Sequence, residues 1–219
     1  MDVLDHHKIP ASFFIPAVSL QLHLEMLAPI TRSGRHEIGV HGWIHERVSS
    51  LSEAEERTLI NRSVDYLTRT TGTRPVGYRA PGWEFSPHTI RILQDLGFLY
   101  DSSLMADDRP YELLTAGKPT GIIELPVEWI LDDYPLLHLS EHRYSPPRDV
   151  LQVYLDEFEK AYEEGTMFLL TLHPQVIGHR SRIIILEQLI EQIKKREGVW
   201  FATHRSAAEY VRDQAGLGR

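Results

Sequence analysis

One feature constrains this chain more than any other: short apolar, β-rich runs alternate with amphipathic runs of helical period along nearly its whole length. The candidate strands are ASFFIPA from Ala11, HEIGVHG from His36, VGYRAPG from Val76, GFLYDSS from Gly97, GIIELPVEW from Gly121, TMFLLTLHP from Thr166 and VWFATH from Val199. Helical patterns lie between most of them. One is opened by Ser52 with Glu55 three residues on, the pattern of a capping box. A second is expected from Ser86, with Pro87 at its first helical position. Others cover residues 149–163 and 181–195, and residues 107–120 read as an active-site loop or an insertion. Such alternation predicts an α/β fold on a parallel sheet, open or closed as a barrel. A length of 219 residues suits a single domain over 1–219.

Composition narrows the function classes. Hydrophobic residues make up 42% and charged residues 25%, which argues against disorder. The net charge is −8 and no basic cluster stands out, so nucleic acid and anionic membrane surfaces are not expected partners. There is no cysteine, which excludes disulfides and thiolate ligands. No apolar run is of membrane-spanning length, and MDVLDHHKIP has no signal-peptide character. A cytoplasmic location is the expectation.

Twelve histidines make their placement informative. In HEIGVHGWIHE, His41 and His45 stand four apart just after a strand. If the backbone turns helical there, both imidazoles leave one face and can share an ion, whether zinc, iron, nickel or cobalt. His36 reads as a strand-edge residue and Glu46 as a solvated or supporting carboxylate. In GYRAPGWEFSP, Arg79 ends a short strand, where a guanidinium can hold a carboxylate in one orientation. In LLTLHP, His173 ends a very apolar strand, at the carboxyl edge where barrel enzymes gather their chemistry, and can serve as a general acid. Acidic and aromatic residues follow other strands: Asp101, Asp107 and Asp108, then Trp129, Asp132 and Asp133. A carboxylate beside His173 would fix its tautomer.

Together these motifs resemble the polysaccharide deacetylase family over nearly the whole chain. HGWIHE is similar to its metal-binding motif, RAPGW to its arginine–proline–aromatic motif and LTLHP to its leucine-x-histidine motif. YDSSLMADD, ELPVEWILDD and HPQVIGHRSRIIILEQLIEQI are similar to an intracellular subgroup of peptidoglycan-deacetylase-like and allantoinase-like proteins. The resemblance implies a distorted (β/α) barrel of about seven strands. It implies hydrolysis of an amide in an N-acetylated sugar or polysaccharide. Alternatives are a cyclic amide or imide as substrate, a non-catalytic carbohydrate-binding protein without a metal site, or a scaffold subunit. His41 and His45 would hold a divalent ion, zinc first among the candidates. His173, Arg79, Asp101 and Asp132 would be catalytic, and Pro81, Trp83 and Trp129 would bind substrate. The subgroup also implies a homo-oligomer, a tetramer by preference, with the segment from Trp129 to Leu139 packing across subunits. The family's first motif is an aspartate-bearing strand ahead of the helix that ends at His7. Asp2 and Asp5 lie in the wrong element to replace it. The expectation is therefore a domain lacking its first strand and third metal ligand, a poor enzyme unless Asp101, Asp108 or Asp132 completes the site.

Overall fold

The computed structural model describes residues 1–138 and 144–216; Leu139, the far end of the segment expected at a subunit contact, lies outside the described residues. In chain order the elements are α1 (Asp2–His7), β1 (Ser12–Ile15), α2 (Ala17–Leu22), α3 (Leu27–Thr31), β2 (Glu37–Val40), α4 (Glu53–Thr71), β3 (Gly77–Tyr78), α5 (Thr89–Asp95), β4 (Tyr100–Asp101), β5 (Tyr111–Thr115) and β6 (Lys118–Glu124). They continue with α6 (Asp133–Leu137), α7 (Pro147–Glu164), α8 (Pro174–Ile177), α9 (Arg180–Ile193) and α10 (His204–Gln214). Two compact units result. The first holds Val3–Leu125 and Phe201–Arg219, the second Pro126–Trp200. No helix among the described residues is long and apolar enough to cross a membrane.

The first unit carries a six-stranded sheet in the order β1-β2-β3-β4-β6-β5, parallel except for β5. Helix α4 forms where the sequence marks it. Ser52 accepts from the backbone N–H of Glu55 while the Glu55 carboxylate accepts from Ser52, and Gly72 ends the helix at φ 75°. Ile60, Val64 and Leu67 recur at helical spacing on its buried face and join Val40, Tyr78, Ile92, Leu93 and Ile122 in one core. Gly77 is dictated by a close approach, because a Cβ there would sit 1.9 Å from the Tyr100 ring. In the second unit α7 packs on α9, burying Val150, Tyr154 and Phe158 on one and Ile185, Leu189 and Ile193 on the other.

Four expectations change. Residues 107–120 are no structureless loop: most of them form the antiparallel hairpin of β5 and β6, turned by Ala116 at φ 50° and Gly117 at φ 74°. The run from Thr166 makes a single bridge, Thr171 to Asp132, in place of a strand, and its apolar residues are only half-buried. VWFATH pairs with no strand among the described residues and leads into α10. Helix α5 begins at Thr89, because Ser86 and Thr89 turn their hydroxyls onto the buried Glu56 carboxylate instead of opening a helix at Pro87.

Candidate active site

Strand β2 delivers the chain to the histidine pair, where the backbone makes a tight turn in place of the expected helix. Gly42 takes φ 71° and His45 φ 63°. The Glu46 carboxylate folds back to accept from Trp43 N at 3.0 Å and Ile44 N at 2.8 Å. Glu46 thus closes the turn, and a Cβ on Gly42 would lie 2.9 Å from its oxygens. The His41 and His45 ring centroids stand 4.9 Å apart. His41 Nδ1 lies 2.7 Å from the Arg79 carbonyl oxygen. A carbonyl only accepts, so Nδ1 carries the hydrogen and the ring's lone pair sits on Nε2. Two imidazoles so placed and so polarised fit one divalent ion, for which metal–nitrogen distances are about 2.0–2.1 Å. Among the described residues, no cluster of three potential ligand side chains includes either histidine.

Arg79 is 6% exposed. Its Nε donates to the Ser102 carbonyl at 2.8 Å, its Nη2 donates to Ser102 Oγ at 2.7 Å, and the guanidinium lies 4.5 Å from the Phe14 ring centroid. One residue thereby aims His41 with its carbonyl and holds a fixed cation with its side chain. Next to it, Pro81 is buried, and Trp83 is half-buried at φ 58° after Gly82 at φ 67°.

Asp101 is turned inward. It is fully buried on β4, in register with Glu124 on β6, and its carboxylate accepts from Ser103 Oγ at 3.1 Å. Burial raises the Asp101 carboxyl well above the usual carboxylate range, and the neighbouring Glu124 charge raises it further. Burial raises the Glu124 carboxyl above its ordinary value too, and the backbone N–H bonds it accepts from Ser103 and Leu104 offset part of that rise. Asp101 is the more strongly raised of the pair. It braces the strands and does not face solvent, unlike the catalytic acid expected from the sequence. Asp107 and Asp108 are exposed.

In the second unit Asp132 and Asp133 sit at the start of α6 with His173 beside them. Adjacent in sequence, they do different work. Asp132 Oδ1 accepts from Tyr134 N at 2.8 Å and caps the helix, and it stands 3.4 Å from His173 Nδ1. Asp133 accepts from His173 N at 3.0 Å and meets Nδ1 at 2.7 Å. Of the two acids the sequence left open as partners of His173, Asp133 makes the shorter contact with the ring. The phenol of Tyr154 in the same unit is raised first by burial, then by the charges of Asp133 and Asp132. Trp129 is exposed; Tyr134, which sequence reasoning passed over, is exposed too and lies 5.5 Å from the His173 ring.

A family model described as polysaccharide deacetylase matches residues 1–100. Over 232 residues the chain is 32% identical to the peptidoglycan deacetylase of Helicobacter pylori, covering 93% of this chain and 79% of that protein. The chain belongs to the polysaccharide deacetylase family. It is thus a hydrolase of carbon–nitrogen (amide) bonds in a metal-dependent family. A Mycobacterium smegmatis crystal structure assigned to the polysaccharide deacetylases superposes with a TM-score of 0.91 at 35% identity, over 98% of this chain and 76% of that one. An allantoinase crystal structure superposes with a TM-score of 0.86 at 28% identity, over 97% and 70%. The deacetylase structures among these neighbours have a (β/α) barrel fold, in keeping with the α/β architecture expected from the sequence.

Proposed function

We propose that this deacetylase-family chain removes acetyl groups from an N-acetylated sugar or polysaccharide, with peptidoglycan as the first candidate. The observation that carries the reading is the histidine turn: two imidazoles 4.9 Å apart, one with its lone pair fixed on Nε2 by the Arg79 carbonyl. His41 and His45 would hold a divalent ion, zinc by its preference for imidazole, with a further ligand coming from outside this pair. When bound, the ion polarises the amide carbonyl and activates water. Arg79 supplies a fixed positive charge that orients a carboxylate. In the second unit His173, with Nδ1–H held by Asp133, is suited to act as a general acid through Nε2. The short Asp133–His173 contact has the length of a hydrogen bond, so those residues are read as an oriented acid and not as a second ion site. Exposed Trp129 and Tyr134 offer apolar faces for a sugar ring. A cytoplasmic homo-oligomer completes the proposal, with a tetramer preferred.

A cyclic amide or imide is the second reading, favoured by the 28% identity to the allantoinase. Acetate release from N-acetylglucosamine oligomers, run beside ring opening of a cyclic ureide, separates the two. In the same protein His41→Ala and His45→Ala are expected to lower bound metal by about 10- to 100-fold each. Unchanged metal content in both variants would sink the assignment.

A further inference from the structure

The Arg79 guanidinium has one more neighbour, drawn from the far end of the chain. His204, first residue of α10, places Nε2 3.1 Å from Arg79 Nη2. A guanidinium has only donors, so Nε2 must present its lone pair and the ring must be neutral, with its hydrogen on Nδ1. Both Nη2 hydrogens are then assigned, one to Ser102 Oγ and one to His204.

The imidazole is itself held from several sides. It stands edge-on to Phe14 at 5.0 Å and stacks on Tyr100 at 5.8 Å. Its backbone N–H donates to Ser12 Oγ at 2.8 Å. Behind this lies Glu37 of β2, whose carboxylate accepts from Ser12 Oγ, from Arg205 N and from the Tyr100 hydroxyl at 2.8, 2.9 and 2.9 Å. The charged groups around the ring are therefore Arg79 just past β3, Glu37 on β2 and Arg205 on α10 itself. Burial and the Arg79 charge both disfavour a second proton on the ring. Strands β1, β2 and β4 converge with α10 to keep a single lone pair aimed at one cation.

We propose that His204 is a positioning residue for Arg79, its neutral Nε2 accepting from Nη2 and fixing the plane of the guanidinium, a role in the reaction that rests on the reading of Arg79 as part of the deacetylase site. Without that acceptor the guanidinium keeps its two Ser102 bonds but loses the hold on its far edge, and the carboxylate it would orient loses part of its fixed reference.

The test uses the full chain with nitrogen-15-labelled histidine and arginine. His204 is expected as the neutral Nδ1–H tautomer, and still neutral below the ordinary histidine value of about 6.5. In His204→Phe, which keeps an aromatic ring between Phe14 and Tyr100, hydrogen exchange at Arg79 Nη2 is expected to speed about tenfold. In His204→Gln, whose amide oxygen accepts in place of Nε2, the slow exchange is expected to return. A His204 ring carrying its hydrogen on Nε2, or Arg79 exchange unmoved in His204→Phe, would overturn the proposal. Acetate release by Arg79→Ala is read separately. If it equalled that of the wild type, the functional reading would fall while the exchange data still reported the His204–Arg79 bond.

Discussion

At Asp133 one carboxylate meets His173 twice, at the backbone N–H and at Nδ1, while the neighbouring Asp132 spends an oxygen on the first turn of α6. The two acids should therefore fail differently. Asp133→Asn keeps the shape but removes the charge that fixes the ring's tautomer, and kcat is expected to fall by about 100-fold or more with little change in KM. Asp132→Asn is expected to change kcat much less, since asparagine also caps helices and its contact with Nδ1 is longer. Steady-state kinetics of the pair decides the matter, and a larger kcat loss in Asp132→Asn would reverse the assignment. The proximity of His41 and His45 was legible from their spacing, although a turn and not a helix brings the rings together, and no strand of the expected length leads to His173. The choice within Asp132–Asp133 was not legible, because two adjacent acids look alike until the backbone turn sends one to a helix cap and the other to a ring. Asp101 was misjudged for a related reason: a strand-end acid signals the sheet's rim, but nothing in YDSS announces the facing Glu124 that draws it inward. His204 gave no local signal at all, since its partner lies 125 residues away.

Among the elements, α4 and β1 to β4 were readable because each is specified locally, by a capping box or by an apolar run with turn residues on either side. The β5–β6 hairpin escaped because its turn uses Ala116–Gly117 and lacks the Asn-Gly or Asp-Gly pair that usually marks such a turn. The run from Thr166 misled in the opposite sense: β-rich composition reports a preference for extended backbone, while a strand also needs a partner along its length, and only Thr171 finds one. The hairpin carries its own prediction. Alanine at φ 50° is strained and asparagine tolerates that backbone, so Ala116→Asn should stabilise by about 0.5–1 kcal/mol. The measurement is the urea midpoint, expected to rise with the m-value unchanged; a lower midpoint would show that the turn is not the type described.

For the molecule as a whole, buried ionisable groups set how stability responds to pH. The His204 ring resists protonation in the fold, first through burial and then through Arg79, and His36 resists it mainly through burial. Unfolded, each takes up a proton near about pH 6.5. The unfolded chain thus binds more protons below that pH, and their contribution is intact above it and lost as the pH falls through the window beneath. Asp101 acts in the other direction. Its folded-state value is raised, so its contribution is present at acid pH and is lost as the pH climbs from the ordinary aspartate value through the raised one. Urea titrations at several pH values should therefore show His204→Gln losing less stability on acidification than the wild type, and Asp101→Asn losing less on neutralisation. Parallel curves for wild type and variants would contradict both assignments. The turn that Glu46 closes around Trp43 and Ile44 has a different consequence. It is held by its own carboxylate and backbone amides, so the loop keeps its form whether or not an ion is present. Dialysis against a chelator should then silence catalysis and leave the circular dichroism spectrum and melting temperature nearly where they were, the reverse of a zinc finger, whose peptide collapses into coil when its metal is withdrawn.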